Sequence, residues 1–260
     1  MTARTPVILG TGGVAGAVGA LLGGGTGLVS VPALEKLTDL RRATIHGTTT
    51  ISNAAIAAVG STVYALRGGA VDLRVGIPLM AGGVVGAVFG ARLVARAPER
   101  VLRAVFAAVL VVAGAKFLLD AAGLDPLRHP VRLGADGLPA VIVVGTLLGF
   151  VVGAWASALG LGGGLLAVPV LALLFGTGLH VAEGTSLLVM LPNSVSGALA
   201  HLRQRTAAPR VGLRLAAGAA VGAVLGAFLA LALDTRVLSG IFGLVTLTVA
   251  AREMRRLRRG

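Results

Sequence analysis

The chain has 260 residues, 56% of them apolar and only 13% charged, with no cysteine and a formal net charge of +13. That balance, with a mean hydropathy of +0.93, excludes an ordinary soluble domain and predicts a polytopic membrane protein. The missing cysteines exclude disulfides, thiolate metal sites and a cysteine nucleophile. The positive charge does not indicate nucleic acid. Its carriers lie in short loops between apolar runs and in the tail Arg252, Arg255, Arg256, Arg258 and Arg259, the distribution that the positive-inside rule produces.

Eight apolar segments follow in order. The first half predicts segments at about 6–37, 48–66, 73–97 and 101–119, and the second at about 139–175, 185–202, 211–233 and 237–251. Most match the ~20 residues that cross a bilayer as a helix. The opening stretch, with Arg4 ahead of apolar and small residues, has the form of a signal peptide. Its glycines recur in the chain interior, which argues that it belongs to the fold.

An internal duplication explains that recurrence. Gly12, Gly16, Gly25, Gly27, Pro32, Gly47 and Thr48 recur 137 residues later as Gly149, Gly153, Gly162, Gly164, Pro169, Gly184 and Thr185. After a slip of one, Gly76, Gly82, Gly86 and Gly90 recur as Gly212, Gly218, Gly222 and Gly226. The expected organisation is a first membrane repeat over 1–120, a linker over 121–136 and a second repeat over 137–260. The four-spaced glycines of the third segments read as faces for close helix packing.

The first segment of each half is long and broken by a glycine cluster, Gly23 to Gly27 in one and Gly160 to Gly164 in the other. Both breaks precede Val-Pro, where a helix can restart. If every segment crosses, the basic residues divide 14 to 8. If the broken segments re-enter on one side, 17 fall on the side of both termini and 5 on the other. The second division obeys the positive-inside rule better. It predicts an all-α polytopic membrane protein of two inverted repeats. Each would hold three transmembrane helices and one re-entrant or discontinuous Gly-broken segment, with both termini cytoplasmic.

A helix restarting inside the membrane presents free N–H groups and a positive dipole end, a natural place for an anion. The candidate substrate-binding residues are therefore Gly24, Gly25, Thr26 and Gly27 of the first break and Gly162, Gly163 and Gly164 of the second. The hydroxyls of Thr48, Thr49, Thr185 and Ser186 and the amides of Asn53 and Asn193 would complete the shell. The hydroxyls could instead cap helices or bond between them. Among charged and aromatic residues, Lys116 and His201 read as interfacial, His46 and Glu183 as loop residues at segment ends, and Tyr64 and Trp155 as belt residues, Trp155 with a second reading as a path-lining residue. With no carboxylate in mid-span, the coupling ion stays open, a proton being one candidate.

Other chemistries fit less well. Gly10-Thr11-Gly12-Gly13 resembles a dinucleotide fingerprint, with Glu35 at a plausible distance, but lacks the strand–turn–helix context. Ser157 with His180 or His201 would make a membrane-embedded hydrolase, yet no nucleophile-elbow motif surrounds it and its repeat equivalent is Ala20. A non-transport structural membrane partner is a further alternative. No enzyme activity, cofactor or metal is expected, and a homo-oligomer is open.

The two Gly-rich motifs leading to Pro32 and Pro169, each trailed by Gly47-Thr48 or Gly184-Thr185-Ser186, resemble those of the TauE/SafE family of bacterial sulfite exporters and sulfonate permeases. The resemblance covers nearly the whole chain. It implies a permease of the bacterial cytoplasmic (inner) membrane that exports sulfite or related organosulfonates. Thr26 stands where the second copy has Gly163, and Thr49-Thr50 where it has Ser186-Leu187, local departures that bear on selectivity.

Overall fold

The computed structural model describes residues 5–87, 99–124, 137–159 and 164–259. Among them the backbone is helical and contains no strand. The helices are α1 (Thr5–Leu21), α2 (Gly27–Leu37), α3 (Arg42–Gly68), α4 (Leu73–Val85), α5 (Glu99–Ala121), α6 (Leu138–Leu159), α7 (Gly164–Pro169), α8 (Leu179–Arg203), α9 (Pro209–Ala232) and α10 (Thr235–Arg259). A π-helical turn over Val170–Leu174 continues α7. Among the described residues, four stretches are long and apolar enough to cross a bilayer: Arg103–Ala121, Leu138–Trp155, Pro209–Ala232 and Thr235–Arg258. Val14, Val112, Leu147, Val221 and Leu244 point outward and exposed, as lipid contact requires.

Glycine sets the helix pairing. A methyl group on Gly12 or Gly16 of α1 would collide with the carbonyl of Leu215 or Ala219 on α9. In return, Gly218, Gly222 and Gly226 of α9 press on Leu9, Gly13 and Ala17 of α1. The α4–α6 pair repeats this pattern. Gly149 and Gly153 meet the Leu79 and Gly83 carbonyls, and Gly82 and Gly86 meet those of Thr146 and Phe150. Each seam joins the first helix of one half to the third segment of the other, running parallel. The four-spaced glycines are thus packing faces, since only a missing side chain permits such backbone approach.

Two further pairs run antiparallel. On α3 and α8, Tyr64 meets Glu183, Gly60 meets Leu187 and Thr50 meets Gly197. On α5 and α10, Arg103 pairs with Glu253, while Phe117 and Phe242 pack edge to face at 5.0 Å. Between α1 and α2 the chain doubles back. Ile8 of α1 packs in one cluster with Val31 and Leu34 of α2, Ile45 of α3 and Leu215 of α9.

The second segments begin earlier than hydropathy suggests. They start at Arg42 and Leu179 rather than near 48 and 185, so His46 and Glu183 lie within helices and not in loops. Polar residues lower the hydropathy of these first turns, but tertiary packing completes the helix. Tyr64 is likewise no belt residue, being fully buried in the main core.

Candidate functional site

The two breaks touch. Gly164, which opens α7, lies so close to Gly23 and Gly24 that a side chain at 164 would strike their backbone. Gly162 and Gly163 lie outside the described residues. In the first break, Gly23 adopts a left-handed φ of +58°, which glycine tolerates without strain. The Gly23 N–H donates to the Ala20 carbonyl at 3.3 Å and the Gly24 N–H to that of Gly19 at 2.7 Å. These bonds form a Schellman motif that closes α1. The Gly24 amide is therefore occupied by the helix end.

Side chains from both halves hold this bend. Asn53 Oδ1 accepts from the Thr26 N–H and from Thr26 Oγ1, both at 2.7 Å. Thr26 Oγ1 also lies 2.9 Å from Ser52 Oγ, and Gly25 packs against the Asn53 amide. Ser186 Oγ donates to the Gly23 carbonyl at 2.8 Å. The N–H groups of Val29 and Ser30 reach the Thr26 carbonyl. The amides of Gly25, Gly27 and Leu28 have no acceptor among the described residues. They form the free, positively polarised end of α2.

The other hydroxyls serve helix ends. Thr48 Oγ1 donates to the Thr44 carbonyl and accepts from the Ala208 N–H at 3.0 Å, just ahead of α9. Thr185 Oγ1 accepts from the Asp72 N–H at 2.8 Å, just ahead of α4. Each thus secures the third segment of the opposite half. Thr49 Oγ1 donates to the His46 carbonyl on its own helix. Asn193 packs against Gly83, well along α8 from the first break, and its Oδ1 has no partner among the described residues. In sequence these residues follow the breaks, but the hydroxyls of Thr48, Thr49 and Thr185 bond backbone groups elsewhere.

A cavity of about 340 Å³ opens beside the free end of α2. Gly27, Leu28, Val31 and Pro32 line it together with Arg42, Arg103, Arg252 and Arg256. Gly27 can contribute only backbone there. Glu35 and Glu253 partly balance the four guanidiniums: Arg42 pairs with Glu35 at 3.0 Å, and Arg103 and Arg256 with Glu253 at 2.8 and 3.2 Å. The cavity remains net positive, which favours anions. Trp155, like Leu28 and Leu166, packs against the cluster of Phe106, Leu110, Val249 and Ala250, with its indole Nε1 buried and unpartnered among the described residues. In the sequence these arginines are visible only as loop and terminal charges; the cavity they share forms when α3, α5 and α10 meet in the fold.

A second cavity, of about 360 Å³, is lined by Lys116, Phe117, Asp120, Ala172, Leu179 and Ser239, among others. These are the repeat equivalents of Arg252, Glu253, Arg256, Glu35, Arg42 and Arg103. Lys116 ion-pairs with Asp120 inside this cavity. The cavities occupy opposite ends of the antiparallel α5–α10 pair, since Arg103 and Lys116 are separated by roughly 20 Å of helix. The side chain of Ser157, the nucleophile of the hydrolase alternative, lies outside the described residues. Of its two candidate bases, His180 Nε2 lies 3.0 Å from the Ala230 carbonyl, and His201 Nδ1 2.8 Å from Thr206 Oγ1.

Outward-facing apolar helices, glycine seams and broken helices beside a basic cavity define a multi-pass membrane protein of the transporter class. The chain belongs to the sulfite exporter TauE/SafE family, whose sequence model matches residues 1–117 and 145–260. It is 27% identical over 259 residues, 94% of each chain, to "Probable membrane transporter protein YunE" of Bacillus subtilis (strain 168). It is also 39% identical over 87 residues, 34% of each chain, to "Probable membrane transporter protein YdhB" of the same organism. No solved structure matches. The protein is a membrane transporter.

Proposed function

We propose that the transporter is a permease for small anions, exporting sulfite or an organosulfonate across the bacterial cytoplasmic membrane. The observation that carries this reading is the meeting of unpaired backbone amides of Gly27 and Leu28 with an arginine-lined cavity. Backbone N–H groups at a helix start bind oxyanions without a fixed charge of their own, and the arginines raise the local anion concentration. The narrowed binding set is the amides of Gly25, Gly27 and Leu28. Thr26, Asn53 and Ser186 position the bend.

Alternating access between two inverted repeats is the transport mode in this proposal. Three observations support it: the reciprocal glycine seams, the antiparallel runs of the equivalent pairs α3–α8 and α5–α10, and the equivalent cavities at opposite ends. The fold-back of α2 along α1 supports re-entry of the broken segment. The positive-inside rule supports a cytoplasmic position for the arginine-lined cavity and both termini.

Purified protein in liposomes should accelerate movement of labelled sulfite or a simple sulfonate over protein-free liposomes. Arg42→Gln with Arg252→Gln should raise KM about tenfold, or about 1.4 kcal/mol of lost anion attraction. If no anion in a panel of sulfite, sulfonates, sulfate and phosphate moves faster than in empty liposomes, the reading falls.

A further inference from the structure

Glu183 has its whole residue buried against the first break. Gly23 has no room for a side chain because the Glu183 backbone and Cβ, and Val168 of α7, fill that space. Tyr64 Oη lies 3.0 Å from Glu183 Oε2 and 3.1 Å from the Ala20 carbonyl oxygen. Both are acceptors if Glu183 is ionised, and a phenol carries one proton. Ionised Glu183 would leave one of these contacts without a hydrogen, and its Oε1 already lacks a partner among the described residues. Leaving a carboxylate buried in this way is strongly unfavourable.

A proton on Glu183 completes the chain. Oε2–H then donates to Tyr64 Oη, and Tyr64 donates to the Ala20 carbonyl. Among the described residues, the surroundings supply no cation in place of that proton. Around Glu183, α1 presents the Ala20 carbonyl, the bend Gly23, α7 Val168, and α3 Tyr64. Ahead of α4, Asp72 Oδ1 accepts from the Arg74 and Val75 amides. On α8 itself, His180 bonds the Ala230 carbonyl. Arg67, about one turn beyond Tyr64, stacks on the Phe228 ring at 5.4 Å.

We propose that Glu183 is the proton-carrying residue of this transporter, and that a proton moves in the same direction as the anion. This rests on the anion-permease reading. Glu183 touches Gly23, four residues before the Gly27 amide, and Ser186, one turn along α8, holds the Gly23 carbonyl. An anion at the free end of α2 therefore favours the neutral carboxyl over a second negative charge, and linkage makes each promote binding of the other. Movement of the bend off α8 uncovers the carboxyl to water, so that proton and anion leave together. No covalent bond changes; the proton passes between Oε2 and water.

Two measurements test this. Infrared difference spectra of the purified protein at neutral pH should show the carbonyl stretch of a buried carboxylic acid, absent from Glu183→Gln. That variant preserves the hydrogen-bond chain, with its amide donating to Tyr64. If the missing bands are instead those of a carboxylate, the proposal is overturned, whatever transport shows. In liposomes holding a pH dye, methanesulfonate is the probe, because it carries no titratable proton of its own. Wild type should move protons along with it, whereas Glu183→Gln should exchange the anion within about twofold of wild type while proton movement falls at least tenfold. Undiminished proton movement in Glu183→Gln overturns the proposal. If wild type moves neither methanesulfonate nor sulfite, the permease reading falls and coupling with it, a result distinct from failure of the variant alone.

Discussion

At the residue scale, the first break depends on a few buried polar contacts. Asn53 is the shared acceptor for the Thr26 amide and hydroxyl. Asn53→Ala leaves buried donors unpaired, at about 1–3 kcal/mol for such a group. Thermal unfolding in detergent should drop by several degrees and anion flux should be lost, while Asn53→Asp, which keeps an acceptor, retains much of both. Thr49→Ala is the contrast: its hydroxyl bonds only its own helix, so stability should change by less than about 0.5 kcal/mol and flux should persist. Thr48 and Thr185 were legible as a repeated pair, but not as anchors of α9 and α4. Their partners, the Ala208 and Asp72 amides, lie 160 and 113 residues away. Glu183 and Tyr64 were misassigned for a related reason. A hydropathy window sees a glutamate as a segment boundary and cannot see the helix that covers it.

At the element scale, glycine periodicity was informative because its physics is local. A four-spaced glycine face has one use in an apolar helix, close approach of another backbone. The sequence did not reveal which helices would approach, and the partners lie in opposite halves. Gly16→Val and Gly153→Val should therefore be equally damaging, since each drives a side chain into a carbonyl of the other half. Gly10, with open space around its Cα, should accept valine. The fraction of each variant eluting as a monodisperse peak in size-exclusion chromatography checks this. Near-normal yields for Gly16→Val would contradict the seam. The glycine breaks were also visible in sequence, but their amides were not equivalent. The Schellman closure of α1 takes the Gly24 amide and leaves those of Gly27 and Leu28 without an acceptor among the described residues, a division set by which residue turns left-handed.

At the scale of the whole molecule, duplication turns one cavity into two. The cavity that contains Arg252 carries four arginines, whereas its equivalent at Lys116 holds an internal ion pair and Arg236. In the proposed permease, this unequal charge on equivalent cavities would make a strongly basic entrance and a nearly neutral exit, an asymmetry suited to collecting anions on one side. Neutralising Arg252 should thus weaken capture from the basic side far more than Arg236→Gln weakens it from the other, as read by KM in oriented vesicles. The central claim is that a single site at the first break, at the free end of α2, is reached in turn through cavities opening on opposite membrane faces. Because the chain lacks cysteine, Arg252→Cys and Thr235→Cys, separated by roughly 25 Å along α10, can be labelled singly with a membrane-impermeant thiol reagent. The account predicts that each reacts from one side only, the two sides being opposite, and that added sulfite shifts their rates in opposite directions. Labelling of both from the same side would contradict it, as would rates that sulfite leaves unchanged.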